Sequence, residues 1–217
     1  MRDQPGRAAG ISHPLVAAMK ILGLDIATST GVCFLDTALP PNKWRCFAIE
    51  AEGEFGEEKA GDLAVCLNGE IKEFGPDFAA IEMPQRSVTR FEKKKRHDLG
   101  GDVAKEATIN PNALQLHDLG GAVCAILDLV SIPWGLIAPG TWRSAYYGKG
   151  FKPTDDDWKQ AAINRAVLQG IVLPKQLKAQ RDAAESAGVA SSWSRCTLIP
   201  RKHQQAFIDL RTGRKAA

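Results

Sequence analysis

The chain has 217 residues, of which 44% are hydrophobic and 24% are charged, and these are the proportions of an ordinary globular protein. They exclude a fibrous repeat and wholesale disorder, and no apolar run approaches the roughly 18 residues that cross a bilayer. The net charge is only +3, but residues 19–85 hold 12 acidic and 5 basic residues, whereas 143–217 hold 14 basic and 6 acidic residues. This asymmetry favours a polyanionic partner, although a solvated basic surface is the simpler explanation.

Residues 1–18 are rich in Gly, Pro and Ala and show no periodicity. We predict a flexible N-terminal tail, with Met19 as an alternative start. The tail lacks the continuous apolar stretch of a signal peptide, so we expect a cytoplasmic protein. The five cysteines are scattered and never form a C-x-x-C pair, which argues against a disulfide framework and against a zinc site.

The first half of the chain predicts three strands, a helix and a fourth strand. Short apolar runs between turn residues predict the strands, and apolar residues at steps of three and four predict the helix. In chain order these are strands 21–25, 32–36 and 44–51, a helix around 63–74 and strand 77–82. The first and fourth strands both end on a carboxylate, at Asp25 and Glu82.

The second half begins with a highly basic stretch, 86–109, which has no clear period and predicts a long loop or mobile arm. A helix follows from Asn110-Pro111, then a fifth strand at 134–139, a short connecting segment, a helix capped by Thr154 and a last, alanine-rich helix at 179–192. We predict one domain over residues 19–193 that carries the basic arm, followed by a basic C-terminal tail at 194–217.

Four acidic residues suggest chemistry. If the first and fourth strands are parallel neighbours, Asp25 and Glu82 lie side by side. The spacing of Asp182 and Glu185 places both on one helix face, among alanines that allow close approach. Carboxylates gathered in this way suit a hard cation such as Mg²⁺ or Mn²⁺, and two ions could activate water for phosphodiester hydrolysis. For any one of these acids alone, simple solvation is the plainer explanation.

Five segments, taken together and in order, resemble the motifs of RuvC-type Holliday junction resolvases in the RNase H-like superfamily. They are ILGLDIATSTG, AAIE, LQLHDLGGAVCAIL, PGTWRSAYYGKG and RDAAESAGVA, and they span residues 20–190. The resemblance implies an α/β fold with a five-stranded mixed sheet, three antiparallel strands followed by parallel additions, flanked by helices. It also implies a homodimer and magnesium-dependent nicking of branched DNA, with Mn²⁺ as a substitute.

The resemblance assigns roles to the four acids. Asp25 would bridge two metal ions, Glu82 would bind one of them and Asp182 the other. Glu185 stands where the family usually has a second aspartate, and its additional methylene leaves the metal spacing and metal preference open. Phage-type members commonly accept several branched structures, so four-way junctions, flaps and forks are all expected substrates.

The resemblance also points to basic and aromatic residues that contact DNA. Lys159 falls near the position of a lysine beside the scissile phosphate, with Lys149 and Lys152 as alternatives, and Phe91 is a counterpart of an aromatic that stacks at the junction centre. Arginine and lysine around an aromatic suit phosphate contact and base stacking. The predicted DNA-contacting residues are Arg86, Arg90, Phe91, Lys93, Lys94, Lys95, Arg96, Arg143, Lys149 and Lys152.

Other functions compete with this one. LGLDIATSTG also resembles the phosphate loop of actin-like ATPases, but 217 residues leave no room for their second domain, and the chain has no G-x-G-x-x-G motif, so we expect no nucleotide cofactor. A ribonuclease acting on structured RNA and a catalytically silent DNA-binding module both stay open. The five tryptophans are interpreted as core or domain-edge packing.

Overall fold

The computed structural model describes residues 18–84, 90–93, 106–109 and 111–195, together with five single positions between 203 and 212. Within these residues there are seven strands, which are β1 (Lys20–Asp25), β2 (Ser29–Asp36), β3 (Arg45–Glu50), β4 (Phe78–Glu82), β5 (Arg90–Lys93), β6 (Glu106–Ile109) and β7 (Trp134–Ile137). Its helices are α1 (Gly56–Phe74), α2 (Pro111–Leu129), α3 (Pro139–Tyr147), α4 (Trp158–Leu168) and α5 (Leu177–Ser192).

Five strands form one mixed sheet in the order β3-β2-β1-β4-β7. The first three strands of the chain are antiparallel to one another, whereas β4 is parallel to β1 and β7 is parallel to β4. This confirms the predicted sheet. In the β1–β4 register Leu24 lies opposite Ile81, so the residues that follow them, Asp25 and Glu82, leave the sheet at the same edge.

Helices cover both faces of the sheet. The buried side chains of α1 and α2, among them Leu63, Leu67 and Leu119, pack with Leu22 and Leu24 on one face. On the other face α3, α4 and α5 pack over Ile21 and its neighbours. Because both faces are covered, the central strands are continuous apolar runs in the sequence. Burying one leucine side chain fully contributes about 1.5–3 kcal/mol to the free energy of folding.

The structure corrects the prediction between the fifth strand and the last helix. The segment expected to be a short connection contains helix α3, whose first residue is Pro139 and whose buried residues Trp142 and Tyr146 are four apart. Helix α4 is not capped by Thr154: residues 154–156 form a short 3₁₀ turn, and Asp157 caps α4 by accepting a hydrogen bond from the Gln160 backbone N–H at 2.9 Å. Helix α5 begins at 177, two residues before the predicted start.

The basic arm at 86–109 is not only a loop. Strands β5 and β6 pair antiparallel, with Phe91 opposite Thr108 and Lys93 opposite Glu106. Strands of four residues hold too few alternations to show a period in the sequence. The side chains of Arg90, Phe91 and Lys93 are not described. The predicted contacts that lie entirely outside the described residues are Arg86, Lys94, Lys95 and Arg96.

Within the described ranges, no helix is both long enough and apolar enough to cross a membrane. The limits of the two tails and of the domain at 19–193 stay predictions. One position of the predicted C-terminal tail, His203, is buried with its ring 4.6 Å from that of Trp134.

Candidate active site

Four acidic side chains meet at one end of the sheet. Asp25 and Glu82 come from the ends of the neighbouring parallel strands β1 and β4, as predicted, and Asp182 and Glu185 come from α5. Asp182 is 6% exposed and Glu185 is 5% exposed, although both are charged residues. The electrostatic interaction of Asp25 with each of the other three shows that the acids form one cluster.

Two glycines of the sheet allow helix α5 to approach this closely. A Cβ atom added to Gly31 on β2 would lie 2.1 Å from the Asp182 carbonyl oxygen, and one added to Gly23 on β1 would lie 2.5 Å from the Ser186 carbonyl oxygen. Both distances are far below an ordinary contact, so only glycine fits at either position as the helix is seated. The alanines of α5 on the same side are fully buried, which confirms the predicted close packing of this helix on the sheet.

Hydrogen bonds from neighbouring side chains orient two of the carboxylates. The Ser29 hydroxyl donates to Asp182 Oδ2 at 2.6 Å, and the Trp142 indole Nε1–H donates to Glu82 Oε2 at 2.6 Å. Sequence reasoning missed both donors. Ser29 lies in the turn-prone motif that follows Asp25, but nothing in the sequence places it against Asp182, 153 residues away. In the sequence, a tryptophan at position 142 is equally consistent with a residue that only packs in the core.

Two cations lie beside the acids. Lys159 Nζ on α4 is 3.1 Å from Asp182 Oδ1 and 3.6 Å from Glu185 Oε2. Arg143 on α3 is 3.8 Å from Glu185 Oε1, and its guanidinium carbon lies 4.6 Å from the centre of the Trp158 ring. Of the three lysines that the sequence left open, Lys159 is the one in contact with the acids, whereas Lys149 and Lys152 are exposed. Arg143, expected only as a DNA contact, lies within the site.

Burial and repulsion by neighbouring acids raise the pKa values of Asp25, Glu82 and Glu185. Desolvation, followed by the charges of Glu82 and Glu185, raises the pKa of Asp25 well above its usual range, and Lys159 opposes this. Desolvation also raises the pKa of Glu82 against the hydrogen bond from Trp142, and that of Glu185 against Lys159 and Arg143.

For Lys159 the surroundings favour the charged form. Partial burial lowers its pKa, but the hydrogen bond to Asp182 and the charges of Glu185 and Asp182 outweigh this, so the pKa of Lys159 is raised overall and the side chain stays protonated.

The donor set fits a hard divalent cation. Carboxylate oxygens are the ligands that Mg²⁺ and Mn²⁺ prefer, and a buried cluster of acids that repel one another is stabilised when such an ion binds. As they stand, Asp182, Glu185 and Glu82 are turned towards Lys159, Ser29 and Trp142, and in the described part of the chain no three metal-ligating side chains surround a common point. The positive charge of Lys159 therefore offsets part of the repulsion between Asp182 and Glu185.

No protein-family model and no curated protein matches the sequence. Solved structures do match. RuvC of Thermus thermophilus in complex with a Holliday junction substrate aligns with a TM-score of 0.54 at 16% identity, over 82% of this chain and 93% of that one. A further T. thermophilus RuvC structure aligns with a TM-score of 0.50 at 14% identity, over 81% and 93% of the two chains. The fold is therefore that of RuvC, as the sequence motifs predicted.

Proposed function

We propose that this protein is a metal-dependent, structure-selective endonuclease that hydrolyses phosphodiesters of branched DNA, including four-way junctions, flaps and forks. One observation carries the proposal. Four carboxylates from β1, β4 and α5 are gathered at one edge of the sheet, beside Lys159 and Arg143. A surface that only bound DNA would have no need of four clustered acids, two of them buried, that repel each other and the substrate.

The residues divide into two groups with different tasks. Asp25, Glu82, Asp182 and Glu185 would hold two Mg²⁺ ions, or Mn²⁺ as a substitute. When bound, such ions lower the pKa of a water nucleophile and stabilise the leaving oxygen. Asp182 and Glu185 are buried and Asp25 and Glu82 are half-buried, which limits the access of bulk water, so that charges inside the cluster interact strongly.

Lys159 and Arg143 are suited to the phosphate itself. The Lys159 side chain is 50% exposed and that of Arg143 is 27% exposed, so each can reach a bound strand while it stays close to the acids. The guanidinium of Arg143 lies over the Trp158 ring, and this cation–π contact helps to hold it in place. We assign both to neutralising the negative charge that develops on the scissile phosphate.

The basic arm and two exposed lysines would hold the rest of the substrate. The paired strands β5 and β6 give the arm a defined base from which it can extend towards DNA. Every predicted contact of the arm, together with Lys149 and Lys152, would bind DNA phosphates, because phosphate neutralisation dominates the affinity for DNA.

We also propose a homodimer formed through α2. At the end of this helix Leu129, which is 82% exposed, lines one surface groove together with Val130 and with Val65 of α1, which are 37% and 73% exposed. Side chains of this kind mark an interface when they are clustered. Paired nicks across a junction also require two active sites. A monomer by sedimentation at micromolar concentration would contradict the dimer without affecting the chemistry.

The experiment that tests the function compares substrates and metals. The protein is incubated with four-way, flap, duplex and single-stranded DNA and with a structured RNA, each with Mg²⁺, with Mn²⁺ and with EDTA. We expect metal-dependent cleavage of the branched DNA. Cleavage of RNA alone would favour the ribonuclease, and binding without cleavage in either metal would favour the silent binding module.

Variants separate catalysis from binding. Asp182→Asn removes a proposed metal ligand, whereas Asp155→Asn changes an exposed aspartate in a left-handed turn that asparagine tolerates well. We expect Asp182→Asn to abolish cleavage but to bind junctions normally, and Asp155→Asn to behave as wild type. Equal loss of binding and cleavage in Asp182→Asn would refute the division of tasks.

A further inference from the structure

A buried tryptophan connects one acid of the site to the helix that carries two others. Trp142 on α3 is fully buried, and its indole N–H donates to Glu82 Oε2 at 2.6 Å. This is at the short end for an N–H donor, as expected when the acceptor is a carboxylate. Because the indole holds Oε2, the rotation of the Glu82 carboxylate is restricted.

The tryptophan is itself fixed against α5. A Cβ atom added to Gly188 would lie 2.7 Å from Trp142 Cζ3, so the six-membered ring lies directly on the glycine backbone. The Ser192 hydroxyl lies 2.7 Å from the Gly188 carbonyl oxygen and 3.1 Å from the Trp142 carbonyl oxygen, so its single proton is shared between α5 and α3. Gly188 comes one turn after Glu185 on the same helix. The position of Glu82 relative to the acids of α5 is therefore set through a single rigid side chain.

We propose that Trp142 is a positioning residue that orients Glu82 for divalent cation binding. The inference rests on the proposed function, because it concerns one of the proposed metal ligands. Groups that hydrogen-bond to metal-ligating side chains fix their orientation, and losing one typically lowers metal affinity by about 10–100-fold. The simple alternative is that the ring only fills space between α3 and α5.

The chain contains a matched control for this contact. Trp134 on β7 is also buried, at 8% exposed, and its indole N–H donates to Asp128 Oδ1 at 3.0 Å. This second indole–carboxylate bond takes no part in the acid cluster. Replacing Trp134 removes the same kind of bond and a similar volume from the core. The Trp134 variant therefore shows how such a loss affects stability when no proposed metal ligand is touched.

The test measures Mn²⁺ binding to the full-length protein by isothermal titration calorimetry, with the melting temperature recorded in EDTA. Trp142→Phe keeps an aromatic ring and removes the donor, whereas Trp142→His removes the larger ring but keeps an N–H at the matching ring position. Positioning predicts that Trp142→Phe binds Mn²⁺ about 10–100-fold more weakly than wild type, that Trp142→His retains more affinity than Trp142→Phe, and that Trp134→Phe stays within about twofold.

Each result has a distinct meaning. Equal affinity in wild type and Trp142→Phe, or weaker binding by Trp142→His than by Trp142→Phe at similar melting temperature, would overturn the positioning role and leave the proposed function standing. If Trp142→His does not fold, the affinity of Trp142→Phe relative to that of Trp134→Phe decides the question. A wild-type protein that binds no Mn²⁺ would overturn the proposed function, and the inference with it.

Discussion

Replacing Gly31 with alanine presses directly on the helix that carries two of the site acids. The new Cβ atom would lie 2.1 Å from the carbonyl oxygen and 2.6 Å from the carbonyl carbon of Asp182, whereas ordinary contacts start at 3.4 Å. The obstacle is backbone and not the end of a flexible side chain. Helix α5 must therefore move away from β2 by roughly 1 Å, and Asp182 moves with it.

The size of the effect follows from this displacement. Overpacking of a well-packed core costs about 1–3 kcal/mol. In a protein of this size, 1 kcal/mol shifts the melting temperature by about 2–4 °C, so we expect a loss of about 2–12 °C. A misplacement of about 1 Å at a catalytic group lowers the rate by about 10²-fold, and we expect cleavage of a four-way junction to fall by that factor.

The assay pairs this variant with a glycine in open space. Gly69 lies within α1, and an alanine Cβ there meets nothing within 4 Å. Because alanine is the better helix former, Gly69→Ala should gain about 0.5–1 kcal/mol and cleave normally. Differential scanning fluorimetry and junction cleavage are measured for both variants. A Gly31→Ala protein that melts and cleaves like wild type would refute the close seating of α5 on the sheet.

Three further variants address the charges of the site and the arm. Lys159→Gln should lower cleavage by about 10²-fold or more, while Lys43→Gln, at an exposed lysine that takes no part in the site or the arm, cleaves normally, and equal effects in a cleavage assay would remove the special role of Lys159. Burial and like charges raise the pKa of Asp25 in the folded state above its unfolded value, so the folded protein binds the extra proton and stability falls as the pH rises between the two pKa values. Asp25→Asn should therefore melt above wild type in EDTA at pH 8, with a difference that shrinks towards pH 4, and a constant or absent difference would contradict the repulsion among the acids. Neutralising the lysines at 93–95 should flatten the dependence of junction affinity on salt, by about one unit of slope for each phosphate that the arm no longer neutralises, and an unchanged slope in binding titrations would place the arm away from DNA.

The strands and the identity of the acids could be predicted because their signals are local. A short apolar run that ends at Asp25 or Glu82 needs only its own residues to be recognised, and parallel pairing then brings the two ends together. The step of three between Asp182 and Glu185 likewise fixes them to one helix face. Helix α3 could not be predicted because proline and glycine at its start suggest a turn, and its stability comes from burying Trp142 and Tyr146 against α5.

By itself, the sequence determined which residues are acidic, which segments are apolar and in what order they occur, and these are enough to specify the sheet and the four carboxylates at its edge. Only the tertiary structure decided which donors hold those carboxylates. Ser29 reaches Asp182 across 153 residues of chain, and Trp142 reaches Glu82 across 60. Neither pairing is visible as a pattern in the sequence, because a hydrogen bond between distant segments depends on how closely the helices pack on the sheet. That distance is set by glycines and alanines elsewhere in the chain.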